Sequence, residues 1–464
     1  MTDAAEKCPI NHGDSQSLVY SGSTAPLPPG PRGIPGLGAV PFLARDLYGY
    51  LPALARSYGD VVRVPIPGMT MISISHPDHV KHVMTQHLAD YPKADQIKSI
   101  FGDDPPTHAM LEGDAWQRVR RLLNPMFNNT SLTAVQDFVT DGVADVLDQW
   151  DTYAREGSRV DLQHEFHLLT MTVFLRAKFD FQASRSLATD LVTWYHEFGS
   201  AQTWNALMWS VPQWVPRPKA RRGRLAHDRI MGFIERLIAH RRADPVDAHD
   251  LLTVLLEARF DDGTAMSDPM LRNELHTLIF GGFETTAAAL AWTVAQLDRH
   301  PDAAARASAE VDALGGRRIL LDDHKQLTWI KACFDEAQRL QGIPMIPRRT
   351  AHEDEIGGYR IPEDSTLVIA AAGIQRDPRF WRDPDTYDPA RFLNDKINTY
   401  AFIPFGVGPR RCTGMQLAYM VATQTLATAL QRYRFELPEN FEPKKKFTLS
   451  TNIAGGLPVV IHRR

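Results

Sequence analysis

One ten-residue segment around Cys412 constrains the fold of this 464-residue chain more than any other feature of its sequence. Residues 405–414 read FGVGPRRCTG, and the glycines at positions 406, 408 and 414 permit a tight, flat loop that can approach a large planar ligand closely. A helical pattern follows the loop. Because a helix N-terminus presents free N–H groups and the positive end of its dipole, it favours thiolate over thiol at Cys412. The segment therefore predicts an anionic, hydrogen-bonded sulfur beside a ligand site.

Other interpretations of Cys412 explain the segment less well. An isolated cysteine beside a turn is usually a buried core residue, because free cysteine packs as a small hydrophobe. Zinc binding would need a second cysteine or histidine at ligand spacing, which the segment lacks. A papain-like nucleophile would need a neighbouring base, whereas Arg410 and Arg411 supply only charge. A soft, anionic sulfur is, however, the axial ligand that pushes electron density onto haem iron for O–O cleavage.

The segment closely resembles the cysteine-ligand loop of the cytochrome P-450 family, the haem-thiolate monooxygenases. The match in fixed spacing comprises Phe405, Gly408, Arg410, Cys412 and Gly414. From residue usage, such a match would arise by chance with a probability on the order of 10⁻⁴ or less. The resemblance implies that Cys412 binds the iron of haem b, that Phe405 packs beside the sulfur, and that Gly408, Arg410 and Gly414 contribute to cofactor binding. It also implies a soluble protein of the bacterial type.

A second motif lies in a helical pattern of about 30 residues between positions 267 and 300. Its centre carries Gly281 and Gly282, and two adjacent glycines cost a helix about 1 kcal/mol each. The alternative to a functional motif is a glycine-weakened helix crossing. Thr285 follows Gly281 by four residues, so its hydroxyl can bond the Gly281 carbonyl and open the helix. The resemblance implies that the glycines make room for O₂ against the cofactor, and that Glu284 and Thr285 form an acid–alcohol proton relay.

Two further motifs follow in the family's order. Glu336-Ala-Gln-Arg339 is weak alone, because an i,i+3 ion pair usually lies on a solvated surface and contributes about 0.2–0.5 kcal/mol. In the family, this pair lies under the haem and bonds an arginine from a later Pro-x-Arg-Phe segment, which Arg391 supplies here. The resemblance therefore implies a structural triad of Glu336, Arg339 and Arg391 that holds the cysteine loop in place.

The two propionates of a haem need cations. Trp116 and Arg120 share one helix face, and the resemblance assigns both to a propionate, with Arg410 as a further anchor. Another arginine is expected after the Glu-x-x-Arg helix. Counting back from Gly358 favours Arg348, whereas counting forward from Glu336 favours Arg349. We expect Arg348 to be the anchor.

The substrate pocket is predicted to be mostly apolar. By resemblance, its wall takes residues from the long helix, from the segment after the Glu-x-x-Arg helix and from the chain end, namely Leu278, Ile279, Met345, Ile346, Asn452 and Ile453. The stretch 194–214 holds four of the nine tryptophans and lies where the family has a lid, although an aromatic cluster is more often core packing. A hydrophobic substrate such as a terpenoid, steroid, fatty acid or polyketide fits this pocket better than a charged one.

The resemblance implies a monooxygenase that uses O₂ as co-substrate and inserts one oxygen atom into a C–H bond. No flavin or iron–sulfur module is evident, so electrons are expected from a ferredoxin or flavodoxin with its NAD(P)H reductase. Arg410 and Arg411 are expected to offer that acidic partner a positive face. Two alternatives are a haem-thiolate peroxygenase or isomerase that uses peroxide, and a non-enzymatic haem-binding sensor.

The predicted fold is mainly α with small peripheral β-sheets. Residues 26–464 are expected to form one haem domain, preceded by a polar N-terminal segment, 1–25, that we expect to be flexible. The predicted hairpins pair Val61–Ile66 with Thr70–Ser75, Tyr359–Pro362 with Thr366–Ala371, and Phe447–Leu449 with Val459–Ile461.

Composition narrows the remaining classes of function. Lys and Arg number 51 against 55 Asp and Glu, so no basic excess points to nucleic acid. Three cysteines in a chain of this length favour a reducing compartment. Neither an export signal nor an apolar run of about 18 residues is present, so we expect a cytoplasmic monomer without a membrane span.

Overall fold

The protein is described from a computed structural model that covers residues 23–95, 97, 105–208, 211, 214–245, 250–448 and 450–464. Helix accounts for 56% of the chain and the sheets are small, which confirms the predicted fold class. Most of the N-terminal segment 1–25 lies outside the described residues, as does part of the aromatic stretch 194–214.

The α-helices form the body of the fold. In chain order they are α1 (Val40–Arg45), α2 (Leu47–Tyr58), α3 (Pro77–Lys81), α4 (Gly113–Leu123), α5 (Asn129–Ala134), α6 (Gln136–Glu156), α7 (Leu162–Phe179), α8 (Arg185–Leu207), α9 (Ala220–Ala243), α10 (Leu251–Glu257), α11 (Asp268–Arg299), α12 (Pro301–Asp312), α13 (Thr328–Gln341), α14 (Ala371–Ile374), α15 (Arg391–Asn394) and α16 (Met415–Arg432). Short π or 3₁₀ segments lie at His82–Gln86, Leu88–Asp90, Asn124–Phe127, Leu321–Lys325 and Gly408–Arg410.

Helix α11 is the central element, and its sequence explains where it begins. The Ser267 side chain accepts a hydrogen bond from the Met270 N–H, and Pro269 occupies the first turn, where no intrahelical donor is needed. By length and composition this helix could cross a membrane, but 83% of its most apolar window is buried inside the protein. It packs along α7 and against α13, α9 and α16, so it is a core helix.

The strands form small sheets beside the helices. They are β1 (Val61–Ile66), β2 (Met69–Ile74), β3 (Arg159–Asp161), β4 (Ile346–Arg349), β5 (Asp354–Ile356), β6 (Tyr359–Ile361), β7 (Thr366–Ile369), β8 (Tyr433–Glu436), β9 (Lys445–Phe447), β10 (Thr451–Ile453) and β11 (Pro458–Arg463). The largest described sheet has the order β1-β2-β7-β4, and a three-stranded sheet has the order β3-β11-β8.

The first predicted hairpin is confirmed and the other two are wrong. β1 and β2 pair antiparallel, as expected. β6 pairs instead with β5 across Gly357-Gly358, whose φ values of 60° and 79° suit a two-residue hairpin turn. β7 lies parallel to β2 and antiparallel to β4, and β9 pairs with β10, while β11 joins β3 and β8. Strands this short take their partners from tertiary packing, which local alternation of apolar residues does not encode.

A fully buried ion triad ties α13 to the chain that leads into the cysteine segment. Arg339 donates to both Glu336 carboxylate oxygens at 2.7 and 2.8 Å, and Arg391 donates to Glu336 at 3.0 Å. Arg339 also donates to three backbone carbonyls. The Gln375 side chain continues this link, because it donates to the Arg339 carbonyl and accepts from the Ile403 N–H. The predicted grouping of the triad therefore exists in the structure.

We expect Arg339→Ala to lower the free energy of unfolding by about 3–5 kcal/mol, because it leaves a buried carboxylate short of its main partner. Urea unfolding followed by circular dichroism would measure the loss. The matched control is Lys325→Ala, which removes an ion pair with Asp322 whose two side chains are 81% and 92% exposed. An equal effect of the two substitutions would contradict a structural role for the triad.

Candidate cofactor and substrate site

A cavity of about 490 Å³ lies between α11, α4, β4 and the cysteine segment. The face of α11 that lines it repeats at helical spacing, through Leu278, Gly281, Gly282, Thr285 and Ala289. On the other side the wall includes Phe405, Gly406, Cys412 and Gly414. The cavity therefore lies between the two motifs that carry the resemblance.

Cys412 lies at the cavity as an exposed residue, and it has no disulfide partner among the described residues. Its N–H donates to the Phe405 carbonyl at 2.9 Å, which closes the loop. Desolvation raises the pKa of the thiol, although the Gly414 N–H and the charges of Arg120 and Arg411 lower it. The Gly414 N–H thus acts in the direction expected of the helix N-terminus, but desolvation, which the sequence did not reveal, opposes it and is the larger effect. A bound metal ion deprotonates a coordinating thiol directly.

The three glycines of the cysteine segment have different structural roles. Gly408 has φ of 70°, and a Cβ at this position would lie 2.2 Å from the Met84 carbonyl oxygen. It therefore packs against the backbone beside the cavity and does not line it, which corrects its assignment as a cofactor contact. Gly406, also at positive φ, and Gly414 do line the cavity. Glycine is needed at Gly408 because any side chain there would collide with backbone.

The two glycines of α11 also differ. A Cβ on Gly281 would meet nothing within 4 Å, so this residue borders open space in the cavity. A Cβ on Gly282 would lie 2.2 Å from the ring of Phe174, so Gly282 allows close packing against α7. The Thr285 hydroxyl donates to the Gly281 carbonyl at 3.1 Å, in the geometry that the sequence suggested.

Glu284 does not face the cavity, which corrects the picture of an acid standing beside Thr285. Consecutive helical residues are about 100° apart, so the two side chains diverge. The buried Glu284 carboxylate accepts from Ser450 and Asn452, each at 2.7 Å, and lies 3.1 Å from His196. Burial opposes its ionisation, but nearby histidine charge outweighs burial and holds the pKa of Glu284 well below its usual value. Ser450, which lines the cavity, is the link between Glu284 and that space.

The predicted propionate anchors gather at one side of the cavity. Trp116, Arg120, Arg348 and Arg410 all line it, and the Arg410 guanidinium lies 4.0 Å from the centre of the Trp116 ring. Arg120 donates to Thr413 and to the Arg411 carbonyl. These contacts hold the cationic groups against the cysteine segment.

The structure separates the two candidate arginines of β4. Arg348 is 4% exposed and lines the cavity, whereas Arg349 pairs with Asp364 at 2.6 Å on the outer side of the strand. Successive residues of a strand point to opposite faces, so only one of the two can reach the cavity. The choice of Arg348 agrees with this placement.

The cations around the cavity exceed the carboxylates that face them. Glu112 is the carboxylate that opposes Lys93, Arg348 and Arg410 among the described residues. Burial and the neighbouring arginines lower the pKa of Lys93 to about 7, and burial lowers that of Arg348 to about 10. Arg410 pairs with Glu112 through one nitrogen, while its Nε and Nη1 are buried without a described partner.

Two propionates fit this surplus of buried positive charge, because desolvated cations need anions to pair with. Cys412, across the same cavity, fits as the ligand of the iron. Arg410 is 4% exposed, so the expectation that it presents charge to a redox partner is wrong, whereas Arg411 is exposed. A helix-rich fold around a cavity that combines a free thiol with unneutralised cations meets the requirements of a haem-thiolate protein.

Three predicted pocket residues require correction. Ile279 is fully buried on the flank of α11, one residue out of phase with the cavity face, and packs in the core. Ile453 is 1% exposed and bonds Gln163 through its backbone, so it also lies off the wall. Met345 lines a neighbouring cavity, whereas Leu278 and Ile346 line the one that holds Cys412.

Sequence reasoning missed Lys93, Glu112 and Ser450. The residues around Lys93 form no motif that indicates a binding site. Lys93 lies at the cavity because its backbone forms an isolated β-bridge with Arg348. The approach of Ser450 to α11 likewise depends on the β9–β10 hairpin, whose pairing was predicted wrongly. These positions could be found only in three dimensions.

Comparison with known proteins agrees with the fold and the motifs. The sequence profile of the family "Cytochrome P450" matches residues 28–457. The chain is 32% identical over 439 residues to "Putative cytochrome P450 132" of Mycobacterium tuberculosis (strain ATCC 25618 / H37Rv), which covers 90% of this chain and 92% of that protein. It is 30% identical over 438 residues to "Cytochrome P450 4F12" of Homo sapiens, which covers 84% of this chain and 80% of that protein.

A solved structure described as "Crystal structure of cytochrome P450DA heme domain" has the same fold, with a TM-score of 0.84 and 23% identity over 95% of this chain and 98% of that chain. This chain belongs to the cytochrome P450 family. It is an oxidoreductase, a haem-thiolate monooxygenase that uses O₂ and a cysteine-ligated haem. Like the family in general, it takes electrons from a redox partner and binds hydrophobic substrates.

We expect Arg348→Ala to speed haem loss about tenfold or more, because hydrogen bonds to a charged group contribute about 1.5–3 kcal/mol. Haem transfer to an acceptor apoprotein, followed by absorption, would measure the rate. Arg349→Ala is the matched control, since it removes the adjacent arginine at the surface. If Arg349→Ala accelerated haem loss as much as Arg348→Ala, the assignment of the anchor would be reversed.

Proposed function

We propose that this protein inserts one oxygen atom from O₂ into a C–H bond of a hydrophobic small molecule, with haem b as its cofactor. The observation that carries the proposal is the position of the Thr285 hydroxyl, which shares a cavity with Cys412 and lies beside the open space at Gly281. Haem, when bound, supplies the activation of O₂ and the oxidation of the substrate. In this proposal Cys412 binds the iron, while Arg348, Arg410 and Lys93 pair with the propionates.

Thr285 is the residue we propose to pass protons into the cavity. Its hydroxyl donates to the Gly281 carbonyl, so its oxygen lone pairs can accept a hydrogen bond from the water that carries the proton. Glu284, whose lowered pKa keeps the carboxylate ionised at rest, is proposed to take up a proton and pass it on through Ser450. Its Oε1 accepts from the Ser450 hydroxyl at 2.7 Å, and Ser450 lines the same cavity as Thr285. The acid and the alcohol would thus act from two sides of the cavity.

We expect Thr285→Ala to reduce product formed per NAD(P)H consumed by about 10²-fold, because a positioned proton donor contributes about 10²–10⁴ in rate. Turnover driven by peroxide should change little, since peroxide already carries the protons. Both yields are measured with the same substrate. Thr293→Ala is the matched control, because Thr293 makes the same i−4 bond, to the Ala289 carbonyl at 2.8 Å, deeper in α11.

The peroxygenase alternative makes the opposite prediction. Peroxide would then support turnover at least as well as O₂ with a reductase, and Thr285→Ala would leave both yields unchanged. A non-enzymatic sensor would give no product under either condition. These outcomes separate the three functions with one set of assays.

The second cavity narrows the proposed substrate. It has a volume of about 1140 Å³ and shares Phe280 and Ile343 with the wall of the first cavity, so the two are adjacent. Apolar residues such as Met69, Met71 and Met345 form much of it. Its described lining also carries six cationic and two acidic side chains: Arg45, Arg56, Arg376, Lys444, Lys445, Lys446, Asp46 and Asp385.

A large, mostly apolar space that is also lined by cations suits an amphipathic substrate with an anionic end. Among the hydrophobic classes considered, a fatty acid has this form, whereas an uncharged terpenoid or steroid would leave the cations unpaired. Arg376 already pairs with Asp385 at 2.6 Å, and Lys445 donates to the Leu340 carbonyl. Arg45, Arg56, Lys444 and Lys446 are the exposed cations that remain, and we propose that the two lysines contact the carboxylate.

We expect a long-chain fatty acid to shift the haem spin state at a lower concentration than its methyl ester does. Lys444→Gln combined with Lys446→Gln should raise the Kd of the acid about two- to fivefold and leave that of the ester unchanged, because exposed ion pairs contribute up to about 1 kcal/mol. Lys325→Gln, at an exposed site outside this lining, is the control. Equal Kd values for acid and ester in the unaltered protein would remove the case for an anionic substrate.

We further propose an acidic ferredoxin or flavodoxin, reduced by its NAD(P)H reductase, as electron donor. Arg411 is exposed next to Cys412, and on the adjacent α4 Arg118 is half-buried and Arg121 is exposed. Asp262 and Asp261 partly neutralise the latter two, at 2.6 and 2.7 Å. The working form is proposed to be a cytoplasmic monomer in which residues 26–464 make one haem domain.

A further inference from the structure

Two histidines and a carboxylate from three different helices meet outside the cavity. His167 of α7, His196 of α8 and Glu284 of α11 bring one ligand atom each to within 4.8 Å of the others. His167 Nε2 lies 3.2 Å from Glu284 Oε2, and His196 Nε2 lies 3.1 Å from the same oxygen. The two imidazole rings stand almost perpendicular, at 88°, with centres 4.5 Å apart.

The hydrogen bond made by Nδ1 of His167 leaves the other ring nitrogen, Nε2, able to bind a cation. Its Nδ1 lies 2.8 Å from the Gln163 carbonyl oxygen, which can only accept, so Nδ1 carries the hydrogen. In the neutral ring Nε2 then holds a lone pair. This nitrogen is buried and makes no directed hydrogen bond with any residue that the structure describes, although a carboxylate oxygen lies 3.2 Å away. A lone pair facing a carboxylate is repulsive unless a cation, either a proton on Nε2 or a metal ion, lies between them.

Hydrogen bonds also orient the Glu284 carboxylate toward the two histidines. Glu284 Oε1 accepts from Ser450 and Asn452, which leaves Oε2 directed at the two histidines. A backbone carbonyl that fixes the histidine tautomer and hydrogen bonds that orient the carboxylate are the supports that metal ligands have in proteins. Four tetrahedral ligands with bonds of about 2.0–2.1 Å stand about 3.3 Å apart. The observed separations of 3.1 and 3.2 Å are close to that value.

We propose that His167, His196 and Glu284 form a binding site for a divalent transition-metal ion, with Zn²⁺ as its best-fitting occupant. Two imidazoles and one carboxylate are a zinc ligand set, and water completes the tetrahedron. The ion reaches the site from solvent at His196, whose side chain is 41% exposed, whereas those of His167 and Glu284 are 1% and 2% exposed.

The site has a structural consequence that does not depend on the proposed function. A bound ion joins α7, α8 and α11 through short bonds, and α8 carries Thr203 and Ala206 on the wall of the second cavity. Zn²⁺ therefore ties the helix beside the substrate space to the core. Anything that binds only the folded protein raises its stability.

The experiment titrates the haem-loaded protein, freed of zinc by a chelator, with ZnCl₂ by isothermal calorimetry, so that the bound haem already occupies Cys412. We expect one tight site in the unaltered protein and at least a tenfold rise in Kd in His196→Ala, whose side chain is exposed enough for the fold to tolerate the change. Glu284→Gln, which keeps the shape of the side chain, should weaken binding similarly. An anomalous difference map at the zinc edge from a soaked crystal should place the ion among the three side chains.

The matched control is His462→Ala, since His462 is a partly exposed histidine 3.0 Å from one carboxylate, Glu436, without a second imidazole in the cluster. It should bind Zn²⁺ as the unaltered protein does. Zinc should also raise the midpoint of thermal unfolding in the unaltered protein and in His462→Ala, but not in His196→Ala. Undiminished zinc affinity in His196→Ala, or an anomalous peak elsewhere, would overturn the proposal.

Discussion

Charge taken out of water needs a partner, and this requirement governs the whole interior of the protein. Under the cavity, Glu336 is matched by Arg339 and Arg391, and the group is complete without any ligand. Beside the cavity, Lys93 and Arg348 face too little negative charge within the described residues. The first group therefore acts as a support, whereas the second forms an incomplete site that suits an anionic cofactor.

Helix α11 divides the interior because its successive side chains point in different directions. Its cavity face carries Gly281 and Thr285, which leave space and a hydroxyl next to the cysteine segment. The flank carries Glu284, which leaves the cavity and meets His167 and His196. One stretch of helix thus contributes to two sites with different chemistry, which adjacent positions in a sequence motif would not suggest.

Much of the candidate site was predictable because its chemistry is local. The spacing of glycines around Cys412 and the length of α11 required no knowledge of distant residues, and both correspond to elements of the structure. Whether Arg348 or Arg349 faces the cavity depends on how β4 pairs with β7. A shift of one residue in that pairing would turn Arg349 toward the cavity and Arg348 away from it. The hairpins near the chain end were mispredicted for a related reason, since short strands pair with whatever edge the packed helices leave open.

The sequence by itself determined the class of protein, the proposed iron ligand Cys412 and the helix that faces it, since each depends on residue types at short, fixed spacing. Only the tertiary structure decided that Arg410 is buried against Trp116, that Lys93 joins the cations, and that Glu284 turns away from Thr285. The physical reason is that burial, pairing and direction are properties of packed surfaces. They arise when helices and strands far apart in the chain come into contact, and spacing along the chain does not contain them.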